Sequence, residues 1–184
     1  RKCTIRSIAS QGIQPVSRNS IIEHNTFQMI GSNKYEHGIY GSKPGTIIRH
    51  NVFEEISGAG IHQYNQKEPA GGNCEFYGNI FRKPRKMTVR GSGREYYLDI
   101  IAWGEGGNLI FNNVFYGEGK RGGVSLNSRG NRVYNNTFVG STFGVSFGAE
   151  KTGNHVVNNI FKDVNTFIVR PRDAIPAVIE HNIY

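Results

Sequence analysis

One short pattern, apolar-x-x-Asn-x-aromatic, returns along the chain and constrains what the chain can fold into more than any other feature. It reads Ile22-Glu23-His24-Asn25-Thr26-Phe27, Ile48-Arg49-His50-Asn51-Val52-Phe53, Phe76-Tyr77-Gly78-Asn79-Ile80-Phe81, Ile110-Phe111-Asn112-Asn113-Val114-Phe115, Val133-Tyr134-Asn135-Asn136-Thr137-Phe138, Val156-Val157-Asn158-Asn159-Ile160-Phe161 and Ile179-Glu180-His181-Asn182-Ile183-Tyr184. Successive asparagines are 26, 28, 34, 23, 23 and 23 residues apart. The basal unit is therefore about 23 residues, and the longer intervals carry insertions.

Each unit holds a second short apolar stretch, usually after glycine, as in Gly38-Ile39-Tyr40, Gly60-Ile61-His62, Gly123-Val124-Ser125-Leu126 and Gly144-Val145-Ser146-Phe147. Val124 and Leu126 alternate with Ser125 and Asn127, the period of a strand, and nothing repeats at 3.6 residues over a helical length. Units of this size without helix exclude leucine-rich, ankyrin and tetratricopeptide arrays and fit one rung of a β-solenoid. The expected fold is all-β, a right-handed parallel β-helix of about seven rungs. Rungs stack about 4.8 Å apart, so Asn25, Asn51, Asn79, Asn113, Asn136, Asn159 and Asn182 should form one amide ladder. Asparagine suits a tight bend through its short amide and its tolerance of left-handed backbone. The aromatic two residues on should stack in the core.

The 184 residues suit a single domain, 1–184. No apolar run reaches the roughly 18 residues needed to span a bilayer, so no membrane insertion is expected. Twenty-two Lys and Arg against 14 Asp and Glu leave a net charge of +8, which favours an anionic partner. Nucleic acid is not the expected one, because aromatics are not interleaved with the cations as single-strand binders require. Cys3 and Cys74 form no metal-type spacing, and about three rungs between them is too far for a disulfide.

The repeat resembles that of bacterial right-handed parallel β-helix repeat proteins, over nearly the whole chain from about Ile21 to Tyr184. That fold is shared by pectate, alginate and chondroitin lyases, mannuronan epimerases and phage tailspikes. The resemblance implies a pectate-lyase-like protein, secreted, periplasmic or at the cell surface, that handles an acidic polysaccharide. A lyase is the first expectation; a non-catalytic glycan-binding, tailspike or cell-surface solenoid is the alternative. The aspartate pairs of the polygalacturonases and the Asp-Pro-His-Asp motif of the epimerases are not found. No amphipathic N-terminal cap is visible and Tyr184 falls in mid-rung, so the expectation is a fragment of a longer solenoid, its ends meeting further rungs or another chain.

In a solenoid the inward residues make the core, so chemistry should sit on one outward strand column and on the inserted loops. The largest insertions are Tyr64 to Asn73, with Lys67 and Glu68, and Arg82 to Tyr97, with Arg82, Lys83, Arg85, Lys86, Arg90 and Arg94. Aligning the second strands places Ile39, Ile61, Ile101, Val124 and Val145 inward, and Tyr40, His62, Ala102, Ser125 and Ser146 outward. One step further lie Ser42, Tyr64, Gly104, Asn127 and Gly148, and Trp103 falls inward. Tyr40, His62 and Tyr64 should thus share one exposed face.

That face suits β-elimination of a uronate, which needs a cation to neutralise the carboxylate, a base for the C5 proton and an acid for the leaving oxygen. Arg90 or Arg94 would do the first, His62 the second, and Tyr40 or Tyr64 the third. His37, Lys43, Lys67, Arg85, Asp99 and Arg129 are the expected substrate-binding residues around them. No cofactor or metal is expected: calcium is the one ion such a face would suit, and Asp99 with Glu105 supply too few ligands for it. His24, His50 and His181, each just before a ladder asparagine, should stack at the bend rather than bind metal.

Overall fold

The computed structural model describes residues 2–14, 16–64, 72–83, 98–119, 122–148, 152–169 and 177–184. The chain winds through three parallel sheets, and each full coil gives one short strand to each of them. Sheet C runs from Ile21–Glu23 to Val178–Glu180, and sheet A from Thr4–Ile8 to Ile160–Lys162. Sheet B contains Ile39–Tyr40, Ile61–Gln63, Ile100–Trp103, Gly122–Asn127, Phe143–Phe147 and Thr166–Val169. No helix occurs among the described residues. Among the described residues sheets A and C have seven strands and sheet B six. Seven asparagine corners therefore bracket about six turns, one fewer than the seven rungs expected.

The corner from sheet C to sheet A explains the asparagines. From Asn51 onward each ladder Oδ1 accepts both the backbone N–H and the side-chain amide of the asparagine one coil earlier, as Asn113 does from Asn79 at 3.0 and 3.1 Å and Asn136 does from Asn113 at 3.0 and 3.0 Å. The same amide reaches back to a main-chain carbonyl of the preceding coil, Asn113 to Phe76 at 2.8 Å and Asn136 to Ile110 at 2.9 Å. The left-handed backbone, however, belongs to the residue before the ladder asparagine. His24, His50, Gly78, Asn112, Asn135, Asn158 and His181 all have φ between 53° and 62°. Histidine, asparagine and glycine are the types that tolerate this conformation. His24 and His50 stack there as expected, ring centroids 5.2 Å apart and 17° from parallel.

Two residues past each ladder asparagine, Phe27, Phe53, Phe81, Phe115, Phe138 and Phe161 form a buried file with centroids 4.6–5.0 Å apart. The glycines opening the sheet B strands make room for this file. A Cβ on Gly60 would lie 2.5 Å from the Phe81 ring, and one on Gly144 2.2 Å from that of Phe161.

A second asparagine ladder, unforeseen from sequence, closes the corner from sheet B to sheet C. Asn108 donates its amide to Asn131 at 2.8 Å, and Asn131 to Asn154 at 2.9 Å, all three fully buried. Cys74 stands one coil before Asn108, its backbone N–H donating to the Asn108 amide oxygen. Cys3 in turn occupies the first ladder's column, its N–H donating to Asn25 Oδ1. Neither cysteine forms a disulfide.

Candidate functional site

The outer face of sheet B carries the residues singled out from sequence, with one correction of register. Ile39 pairs with Ile61, Ile61 with Ile100, and Ile100 with Val124, so the inward column passes through Ile100 and not Ile101. Ala102 is therefore buried, Ile101 faces out beside His62, and Trp103 lies outward, 47% exposed, instead of in the core. A slip of one residue reverses every side chain of a strand.

With that register, three successive coils build one aromatic wall. Tyr40 stands against His62 with centroids 5.3 Å apart and against Tyr64 at 5.8 Å. His62 meets Tyr64 at 5.4 Å and Trp103 at 6.2 Å, and Trp103 meets Tyr64 edge to face at 5.3 Å. The next coils turn the same face polar: Ser125, Asn127 and Ser146 follow, and the Asn127 amide donates to Ser125 Oγ at 2.9 Å. An aromatic half and a hydroxyl-and-amide half therefore run in line along the solenoid axis. Apolar faces plus a few placed polar groups are the usual make-up of a small-ligand surface.

His37 lies under this wall rather than at its margin. It is buried, its ring stacks on Tyr40 at 5.3 Å, and its Nε2 lies 3.0 Å from His62 Nδ1. Its Nδ1 accepts the Ala59 backbone N–H at 2.8 Å, and the His37 backbone N–H donates to the Gln11 side-chain oxygen. Burial, and secondly the adjoining His62, hold the His37 imidazole down to about 3; burial holds that of His62 down to about 4. Burial, and secondly Tyr64, raise the Tyr40 phenol above its ordinary value. At neutral pH both imidazoles are uncharged and the Tyr40 phenol keeps its proton. An imidazole so depressed is a weak base at neutral pH, since general bases work best with a pKa near the operating pH.

The other expected residues fall in three groups. Lys43 sits in the turn just after Tyr40, its carbonyl accepting from Thr46, and Arg129 is exposed in the equivalent turn further along. Asp99 is fully buried at the start of its sheet B strand, not on the exposed margin. Lys67, Arg85, Arg90 and Arg94 lie outside the described residues. Of the basic insertion, Arg82 and Lys83 are described, and both pair with the buried carboxylate of Glu54 on the outer side of sheet A. Lys83, and secondly Arg82, hold that carboxyl below the usual carboxylate range against its partial burial.

Among the described residues no group of three or more His, Cys, Asp or Glu side chains could hold a metal ion, and no helix is long and apolar enough to cross a membrane. A recess of about 360 Å³ on the outer face of sheet C, lined by Leu109, Arg132, Tyr134 and His155 among others, is spatially separate from the aromatic wall. Comparison with family models, with curated proteins and with solved structures returns no match for this chain.

Proposed function

We propose that this chain is a carbohydrate-active, pectate-lyase-like β-helix protein that holds an acidic, uronate-containing polysaccharide along the outer face of sheet B. The observation that carries the reading is the contiguous wall of Tyr40, His62, Tyr64 and Trp103, continued by Ser125, Asn127 and Ser146. Flat aromatic faces offer apolar contact to sugar rings, and the hydroxyls and amide can exchange hydrogen bonds with sugar hydroxyls. The net charge of +8 favours a polyanion, and Lys43 and Arg129 lie in the turns that follow the sheet B strands Ile39–Tyr40 and Gly122–Asn127. Such a role suits a secreted, periplasmic or cell-surface protein.

Binding without turnover is the favoured form, because the depressed imidazole of His62 is a poor base. The second reading is β-elimination, favoured by the two phenols of Tyr40 and Tyr64 flanking His62 at 5.3 and 5.4 Å. Trp103 is the one tryptophan of the chain and a built-in reporter of the face. Alginate, pectate, hyaluronan and chondroitin would be titrated while its fluorescence and the ultraviolet absorbance of unsaturated product are followed. A saturable fluorescence change that weakens with salt supports polyanion binding, and rising absorbance supports elimination. Silence of both signals on all four polymers overturns the proposal.

A further inference from the structure

We infer that His37 fixes the proton of His62 on Nε2, so that the aromatic wall presents an N–H donor to an acceptor oxygen of its ligand. This rests on the glycan-binding reading of the face and adds the polar contact by which the wall would select its sugar.

The assignment follows from one fixed donor. The Ala59 backbone N–H can only donate, and it points at His37 Nδ1 at 2.8 Å, so that nitrogen carries the lone pair. A neutral imidazole has one proton, so the proton of His37 is on Nε2. That N–H faces His62 Nδ1 at 3.0 Å, which must accept it. The single proton of His62 is thereby left on Nε2.

The first link is built into the fold. Gly58 leaves the space the ring needs, since a Cβ there would lie 2.6 Å from His37 Nδ1. The Gly58 backbone N–H is held by the Glu36 carbonyl, and the His37 backbone N–H by the Gln11 side-chain oxygen, so loop and strand are both pinned around the imidazole.

The last link is open. His62 Nε2 is shielded from solvent and has no hydrogen-bond partner among the described residues. The rings around His62 are those of Tyr40, Tyr64 and Trp103. Shielded polar atoms without partners are rare in folded proteins and call for a specific explanation. A sugar hydroxyl, ring or carboxylate oxygen entering between these rings would complete the chain that begins at Ala59. In this form the face offers His62 as a donor, with no free imidazole lone pair at its surface.

The test is nitrogen-15 NMR of the imidazoles at neutral pH, on the full chain, alone and with pectate or alginate oligosaccharides, with Trp103 fluorescence read in parallel. The expected spectrum shows the Nε2–H form for both His37 and His62, and a shift of the His62 Nε2–H resonance on saturation with oligosaccharide. His37→Gln, whose amide can still donate to His62 Nδ1, should keep the form of His62, whereas His37→Ala should release it to a mixture. His62→Phe, which keeps a ring but has no N–H, should weaken oligosaccharide binding about tenfold, the worth of one hydrogen bond. An Nδ1–H or mixed form of His62 in the unsubstituted protein overturns the inference, whatever binds. A Trp103 response to oligosaccharide without any change at His62 Nε2 also overturns it and leaves glycan binding standing. The expected tautomers with no Trp103 response would instead remove the glycan reading and, with it, the ligand role of His62, leaving only the proton assignment.

Discussion

Gly123 and Phe138 meet so closely that a methyl group on the glycine would lie 2.3 Å from the phenylalanine ring and 2.4 Å from the Gly144 carbonyl oxygen. Neither neighbour can yield: the ring is fixed in a stacked file between Phe115 and Phe161, and the carbonyl belongs to the adjoining coil. Gly123→Ala should therefore cost about 1–3 kcal/mol or more, the usual range for overpacking a core. Chemical denaturation would show it as a lower midpoint at unchanged slope. An unchanged midpoint would mean that sheets A and B do not close on each other as described.

The same contact marks how far the fold could be read from sequence. Glycine before an inward aliphatic recurs because the phenylalanine file needs its space, so the pair was a dependable register mark at Gly38, Gly60, Gly123 and Gly144. Asp99 stands in that position in the intervening coil, ahead of two isoleucines, and the mark is lost. An alignment with Ile101 inward turns the strand over and puts Trp103 in the core, whereas the observed pairing runs through Ile100. The second ladder has no full-length sequence signal for a similar reason. Its column, five residues before the first, holds asparagine at Asn108, Asn131 and Asn154, while Thr46 and Cys74 occupy the earlier coils. The approach of His37 to His62 has no periodic signal at all, because a loop and a strand from different coils create it.

The first ladder should be most sensitive in its middle. Asn113→Ala removes the acceptor of the Asn79 backbone N–H and one of the two acceptors of the Asn79 amide, which keeps the Ile48 carbonyl, and takes a donor from the Phe76 carbonyl, all enclosed, at about 1–3 kcal/mol for a group left unpaired. Partial relaxation should bring the total to roughly 3 kcal/mol. Asn182→Ala breaks analogous bonds to Asn159 and Val156, but Asn182 is only half-buried and water can replace part of them. Thermal unfolding of both variants should lower Tm far more for Asn113→Ala. Equal losses would argue against a continuous enclosed ladder.

The buried imidazole pair should make stability fall on mild acidification. In the unfolded chain both side chains take up protons near the ordinary value of 6.5, whereas in the folded chain His62 does so at about 4 and His37 at about 3. Between those limits the unfolded chain binds more protons, so lowering the pH favours it. Their contribution is complete above about pH 6.5, declines through the window below it and is gone once the folded pair is protonated. It amounts to several kcal/mol. The Glu36 and Glu54 carboxyls are held below 4.5, so their loss comes later in the acid range. Tm should drop between pH 7 and pH 4.5, and His62→Gln should flatten that slope. A flat Tm over this interval in the unsubstituted protein would contradict the enclosure of the pair.

The two thiols offer the most direct check that the sheet B to sheet C corner is closed. Cys74 is fully buried, its thiol donates to the Lys43 carbonyl at 3.2 Å, and burial pushes it up to about 11. The thiolate is the reacting form, so at pH 8 only about one part in a thousand of Cys74 would be reactive even without steric shielding. Cys3, by contrast, is exposed. An alkylating reagent at pH 8 should therefore add one group per native chain, mapped to Cys3 by mass spectrometry, and a second only after denaturant opens the solenoid. The slow modification of Cys74 should follow the unfolding equilibrium, so that Gly123→Ala, which loosens the core elsewhere, accelerates it. Rapid addition of two groups to the native chain would show that the corner containing Thr46, Cys74 and Asn108 stands open to solvent, and the second amide ladder could not then be continuous with it.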